Sequence, residues 1–166
     1  TRAARGRRKN RVGAHAVLRL NIGGTEPKDG WKIFNVVPGP HVDFVGNMLD
    51  LSRFADNSVD EIYASHVLEH VPLEPGKTAL RGFARVLVPG GRLMISVPDL
   101  TTLCRIYVDP RLSQNQSTFV MAMIYGAHID EHDIHHVGYN EPLMRAVLAE
   151  TGFRRIRRVD DHGLFD

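Results

Sequence analysis

Short β-rich runs alternate along this chain with segments whose apolar residues repeat at helical spacing. The clearest strand pattern is Val59–Ser65, which follows an Asp-Asn-Ser turn. A helical pattern over 80–87 then leads through Pro89-Gly90-Gly91 into the apolar run 93–97. Such alternation is typical of an α/β domain with a parallel sheet and helices on its faces. We therefore expect one Rossmann-like α/β domain over residues 17–166, with a mostly parallel sheet and flanking helices.

The remaining elements are predicted from the same patterns. Further strands are expected at 17–22, 31–37, 42–45 and 153–159, and further helices at 101–108 and 119–125. A last helix is expected to begin at the N-cap Asn140, with Pro142 in its first turn, and to end at Gly152.

The links between the first three strands are unusually short. Only six residues separate Gly24 from Trp31, whereas parallel neighbours usually need a crossover of a dozen or more. The link 38–41 is tighter still and leaves an antiparallel hairpin open as an alternative. Reduced helix cover is therefore predicted near strands one to three. Because uncovered parallel sheets are rare, we expect the N-terminal segment, the later helices or the second subunit of a homodimer to cover this face.

The basic residues are unevenly placed, although the formal net charge is only +2. Residues 1–16 form a basic N-terminal arm with Arg2, Arg5, Arg7, Arg8, Lys9 and Arg11. No aromatic residue interleaves these charges, so base stacking has no support, and a solvated tail is favoured over a nucleic-acid contact. A second basic run, 154–158, is interpreted as one exposed strand edge.

Compartment and membrane association are constrained by composition. No apolar run approaches the roughly 18 residues that cross a bilayer, so no membrane contact is expected. Cys104 is the single cysteine, which favours a reducing, cytoplasmic location. Its apolar neighbours predict a buried thiol.

Three segments, in order, resemble the class I S-adenosylmethionine (SAM) dependent methyltransferase family, in particular its type 11-like domain. Residues 18–24 are a strand that runs into two glycines, residues 60–70 are a strand that enters a helix, and residues 85–99 are a helix, a Pro-Gly-Gly turn and a strand. The resemblance covers roughly residues 17 to 100. It implies the cofactor SAM and methyl transfer to an unidentified acceptor substrate.

The resemblance also implies a set of cofactor-binding residues beyond the carboxyl ends of the strands. They are Asn21, Gly23, Gly24, Asn35, Asn47, Met48, Ser65 and His66. Asn35 and Asn47 stand where the family commonly has acidic residues, and Thr25-Glu26-Pro27 replaces the usual third glycine. These departures support the alternative of a degenerate, non-catalytic binding or assembly module with the same fold.

Several polar side chains are candidates for chemistry. His66 and His70 follow strand four and suit a general base, since histidine titrates near neutrality. Asp99, His135 and Tyr139 are expected on the substrate side, although Asp99 also suits a turn-capping role. If residues 128–136 were helical, His128 and His132 would share one face and could hold a metal. A short polar segment that covers the pocket is the favoured alternative, and no metal is expected.

Overall fold

The sheet of this fold has five strands. The computed structural model describes residues 17–165, so the predicted basic arm at 1–16 lies outside the described residues. The strands are β1 (Arg19–Ile22), β2 (Lys32–Asn35), β3 (Phe44–Val45), β4 (Val59–Ser65) and β5 (Leu87–Ser96). Their order is β3-β2-β1-β4-β5, and every neighbouring pair is parallel. This confirms the predicted α/β class and corrects the hairpin alternative, because β3 runs parallel to β2.

Within residues 17–165, four α-helices and one 3₁₀ turn accompany the sheet. The 3₁₀ turn is Leu68–His70, and the helices are α1 (Leu73–Val86), α2 (Leu100–Tyr107), α3 (Gln114–Tyr125) and α4 (Glu141–Glu150). The predicted N-cap of α4 is confirmed, since Asn140 Oδ1 accepts from the Leu143 N–H at 3.0 Å. Helix α3 begins earlier than predicted because Ser113 and Gln116 form a capping box.

One face of the sheet carries the main core. The apolar face of α1, with Leu80 and Phe83 fully buried, packs against Leu20 of β1 and Ile62 of β4. Val147 and Leu148 of α4 join the same cluster. The two periodicities that predict this packing, three to four residues in helices and two in strands, place these side chains on facing surfaces.

The opposite face is covered by the end of the chain instead of by crossover helices. Residues 23–31 and 36–43 contain no helix, which confirms the reduced cover predicted near strands one to three. Trp31, Tyr63 and Met94 form a second buried cluster there, with Leu164 and Phe165 packed on it. The Phe165 ring lies 5.6 Å from Trp31 and 4.7 Å from Tyr63, centroid to centroid. A contribution from a second subunit stays a prediction.

Two further sequence-based expectations are wrong. Residues 153–159 pair with no strand, and Arg155 has a left-handed backbone (φ 56°) that interrupts any extended run. The Ile156 carbonyl instead accepts from Arg145 Nη1 at 2.9 Å. Cys104 is exposed, not buried, because α2 has no fully buried residue.

Within residues 17–165, no helix combines the length and apolar character needed to cross a bilayer.

Candidate functional site

A cleft of about 330 Å³ opens at the carboxyl ends of β1, β2 and β4, next to the loop after β3. In open parallel sheets this edge is where ligands bind. Its lining residues are Ile22, Gly23, Phe34, Asn35, Val36, Val37, Gly46, Asn47, Met48, His66, Val67, His70, Val71, Asp130, Glu131, His132 and Asp133. Five of the eight predicted cofactor-binding residues therefore line the cleft, whereas Asn21, Gly24 and Ser65 do not.

The two glycines after β1 are required by close packing. A Cβ on Gly23 would lie 2.1 Å from Val67 Cγ1, and its φ of +78° already disfavours a side chain. A Cβ on Gly24 would lie 2.1 Å from the Nδ2 atom of Asn21, which is 4% exposed. The Gly23 N–H donates to the Phe34 carbonyl at 2.8 Å, which anchors the loop to β2. The backbone at Gly23 thus reaches the cleft surface without side-chain obstruction.

Asn35, at the end of β2, binds the loop formed by Gly23 and Gly24, which is called the glycine loop from here on. Its Nδ2 donates to the carbonyls of Gly23 at 3.1 Å and Gly24 at 3.0 Å, and its Oδ1 accepts from the Val37 N–H at 3.0 Å. The amide is therefore engaged within the chain on both sides. A carboxylate at this position could not make the two donations, which explains why an amide stands here.

Asn47 and Met48 bring the loop after β3 to the cleft. Asn47 Oδ1 accepts from the Leu49 N–H at 2.9 Å, an Asx turn that an aspartate could also make. Met48 is half-buried and packs against the main core. Together with Met48, the exposed Val36 and Val37 form an apolar wall of the cleft, and these two valines were not among the predicted residues.

His66 leaves β4 with a left-handed backbone (φ 52°), which is uncommon outside glycine and clusters at functional sites. Its N–H donates to the Ser96 carbonyl at 3.0 Å, and its Nδ1 lies 3.3 Å from Oε1 of the fully buried Glu69. The Glu69 carboxylate raises the pKa of His66, against a lowering effect of desolvation. Sequence reasoning missed Glu69, although a carboxylate inside the apolar run 67–71 is a signal in itself.

The residues expected on the substrate side are divided between two places. His135 contacts His70, with ring centroids 4.8 Å apart and planes at 78°. Asp99 caps α2 by accepting from the Thr102 N–H, and it borders a separate cleft of about 300 Å³ between β5 and α4. Tyr139 is 1% exposed, and burial followed by the Glu69 charge raises the pKa of its hydroxyl to about 12. The hydrogen bond from Thr102 shows that Asp99 has the capping role given as the alternative.

The histidine face that a helix over 128–136 would form does not exist. Residues 126–138 contain no helix, and His128 has φ 56° with its Nε2 atom 3.0 Å from the Tyr125 carbonyl. The Nε2 atom of His132 lies 3.9 Å from Oε1 of Glu131. Instead, residues 130–133 form a polar segment along the cleft, as the alternative proposed. They also bring Asp130, Glu131 and Asp133 to its wall.

The comparisons with known proteins agree with this architecture. Residues 29–95 match the family described as Methyltransferase domain. The fold is similar to a SAM dependent methyltransferase from Archaeoglobus fulgidus, with 16% identity over 84% of this chain and 62% of that one and a TM-score of 0.55. It is also similar to a possible exported protein from Bordetella parapertussis, with 14% identity over 89% of this chain and 58% of that one and a TM-score of 0.58.

A third structure, PigF with SAH, shares 17% identity over 84% of this chain and 46% of that one, with a TM-score of 0.50. No curated protein matches the chain significantly. The chain spans less than two thirds of the length of each of these three structures. At such identities the structural likeness establishes the fold alone.

Proposed function

We propose that this chain is a class I methyltransferase domain that binds SAM in the cleft and transfers a methyl group to an acceptor, and its parallel sheet and the family match over residues 29–95 support this proposal. The observation that carries the proposal is the placement of the cleft. It lies at the carboxyl edge of the parallel strands, beside two glycines at which an added Cβ would lie 2.1 Å from a neighbouring side chain. Ligands bind at this edge in open α/β sheets.

The residues around the cleft fit such a cofactor. Backbone at Gly23 is open to close approach, and Val36, Val37 and Met48 offer an apolar surface for a base. A volume of about 330 Å³ falls in the range of small-molecule sites. The acidic residues of the polar segment supply the negative charge that the two asparagines lack, which favours a cationic ligand.

When bound, the cofactor would supply a methyl group activated on a sulfonium. The protein would position the cofactor and the acceptor and would accept a proton from the acceptor. Asn35 holds the glycine loop in shape through its two donations, and the Asn47 turn holds the loop after β3. We place His66 as the general base for a hydroxyl or amine acceptor, because it borders the cleft and the Glu69 carboxylate lies 3.3 Å from its Nδ1 atom. His70 lines the same wall.

One observation favours the alternative of a non-catalytic module. The Asn35 amide, at the position where the family commonly grips the ribose, is committed to its own backbone. The same fold would then serve for binding a partner or for assembly. Cofactor binding separates the two functions.

Calorimetric titration with SAM and S-adenosylhomocysteine tests the proposal. We expect micromolar binding to the wild-type protein and a loss of tenfold or more, about 1.4 kcal/mol, in Gly23→Ala, where the new Cβ meets Val67. Gly90→Ala is the matched control, because Gly90 has a similar φ of +85° but no atom within 4 Å of an added Cβ. Absence of binding by a folded wild-type protein would favour the non-catalytic module.

A further inference from the structure

We propose that Glu69, His70 and His135 form a binding site for a divalent transition-metal ion such as Zn²⁺. One carboxylate oxygen and one nitrogen from each imidazole lie within 4.8 Å of one another. Two imidazoles and a carboxylate are a ligand set that zinc and its neighbours in the first transition row prefer. Among residues 17–165, this is the one group of three or more such side chains that is close enough to share an ion.

Both carboxylate oxygens of Glu69 and one ring nitrogen of His70 are buried without hydrogen-bond partners. Glu69 is 0% exposed, and neither of its carboxylate oxygens has a hydrogen-bond partner. The same holds for Nδ1 of His70 and for the nearby Tyr139 hydroxyl. Buried polar groups are nearly always hydrogen-bonded, and a buried carboxylate needs a counter-charge. Unpaired ligand atoms gathered in one place point to a missing cation.

The nearby His66 does not supply that cation fully. Its Nδ1 lies 3.3 Å from Glu69 Oε1, but the two atoms are not aligned as a hydrogen bond. The His66 side chain is 55% exposed and carries charge only when protonated. A carboxylate has a second oxygen, so Glu69 can face His66 on one side and an ion on the other.

The backbone holds the third ligand beside the other two. The His135 N–H donates to the Tyr125 carbonyl at 2.9 Å, and the His136 N–H donates to the carbonyl of Glu69 at 2.8 Å. Gly126 permits this path, since a Cβ there would lie 2.3 Å from the Asp133 carbonyl oxygen. Two ligands at about 2.1 Å from one ion can be at most about 4.2 Å apart, so binding requires the side chains to close by several tenths of an ångström.

The site borders the cleft already described. His70 and His66 line the cleft wall, and the polar segment 130–133 that precedes His135 lines it too. Three protein ligands leave at least one coordination position open, as in catalytic zinc sites. An ion held there could take an oxygen ligand from a molecule in the cleft.

Titration of the chelator-treated chain with Co²⁺ alone tests the site. Cobalt substitutes for zinc and its visible absorption bands report a low-coordinate nitrogen–oxygen environment. We expect saturation at one equivalent, with affinity reduced about tenfold or more in Glu69→Gln and in His135→Ala. His128→Ala and His41→Ala are controls, because both side chains are exposed and lie outside the cleft, and both variants should retain wild-type affinity. The readout does not depend on SAM, so its outcome is separate from that of the cofactor titration.

Thermal unfolding with and without Zn²⁺ provides a second measurement. We expect Zn²⁺ to raise the melting temperature of the wild type and not of Glu69→Gln. After chelation, Glu69→Gln should melt at or above the wild type, because the substitution removes an unpaired buried charge. The proposal would be overturned by three results: no binding at one equivalent, equal losses in the control variants, or a chelated Glu69→Gln that melts well below the chelated wild type.

Discussion

Asn35 and Asn47, which stand where the resemblance implies acidic residues, use their amides in different ways. Asn35 uses its amide hydrogens to bind two carbonyls of the glycine loop, a task that no carboxylate can perform. Asn47 uses only its oxygen in the Asx turn with Leu49, a task that a carboxylate performs equally well. Two substitutions that look alike in the sequence therefore have opposite structural constraints.

This difference predicts opposite effects for the two aspartate variants. Asn35→Asp should lower the free energy of unfolding by about 2 kcal/mol, because two hydrogen bonds are lost and a charge faces two carbonyl oxygens. Asn47→Asp should leave stability unchanged within about 0.5 kcal/mol and should tighten SAM binding by adding negative charge beside a cation. Denaturant unfolding and calorimetry measure both effects. A stable Asn35→Asp variant with tighter SAM binding would contradict this account.

Single residues could be predicted where a local rule determines them. The N-cap role of Asn140 follows from the sequence alone. The role of Asn35 could not be predicted, because its partners lie eleven and twelve residues away across two strand ends. The buried Glu69 cluster depends on His135, which a loop without regular structure brings back to the sheet edge.

At the scale of elements, strand prediction succeeded where a partner existed. Val59–Ser65 was predicted to the residue because this central strand is paired on both sides. The run at 153–159 contains Phe153, Ile156 and Val159, but it has no strand partner and contains the left-handed Arg155. β-propensity describes the fit to a pleated surface, so it cannot create a strand without a neighbour.

The edge strand β3 is two residues long, and the side chain of the preceding residue, Asp43, binds it to β2. Asp43 Oδ2 accepts from the Ile33 N–H at 2.9 Å, and Asp43 Oδ1 accepts from Lys32 Nζ at 2.7 Å. The Lys32 hydrogen bond, followed by that of Ile33, lowers the pKa of Asp43. Asp43 therefore stabilises the fold above the unfolded-state pKa of 3.8, and this contribution is lost as the pH falls through the lower folded-state value.

We expect Asp43→Asn to cost roughly 0.5–1 kcal/mol of unfolding free energy at pH 7, a small value because the ion pair is partly exposed. The difference between the wild type and Asp43→Asn should be constant from about pH 5 to 8 and should vanish as Asp43 protonates. Urea unfolding at a series of pH values measures it. A difference that persists at the acid end would show that the charge of Asp43 is not responsible.

Leu164 and Phe165 pack on the second face of the sheet, and this contact leads to another prediction. Phe165→Ala should lower the free energy of unfolding by about 1–2 kcal/mol, because a partly buried ring leaves contacts with Trp31 and Tyr63. Trp31 is the single tryptophan, so its emission should shift to longer wavelength as water reaches it. Phe119→Ala is the size-matched control, since Phe119 is 67% exposed. Equal behaviour of the two variants would mean that the chain end does not cover this face.

For the whole molecule, the cleft is assembled from segments far apart in the sequence. Its lining residues run from 22 to 133 in the sequence. They come from the glycine loop, the end of β2, the loop after β3, the residues that follow β4, and the polar segment. The parallel topology explains this, because all strand ends of one polarity meet at one edge. A single ligand in the cleft would therefore contact elements that are far apart in the sequence, and it would stabilise them together.

Hydrogen exchange with S-adenosylhomocysteine measures this coupling. We expect slower exchange in peptides that contain Gly23, Asn47, His66 and the segment 130–133, because ligand binding opposes local opening of every element that it contacts. Helix α3 lies outside the cleft and has a single buried residue, Val120, so its exchange should not change. Protection confined to one segment would indicate a surface contact, and protection of all four with an unchanged α3 would locate the cofactor in the cleft. That outcome would also identify the polar segment as part of the binding wall, which neither the glycine loop nor the family match predicts by itself.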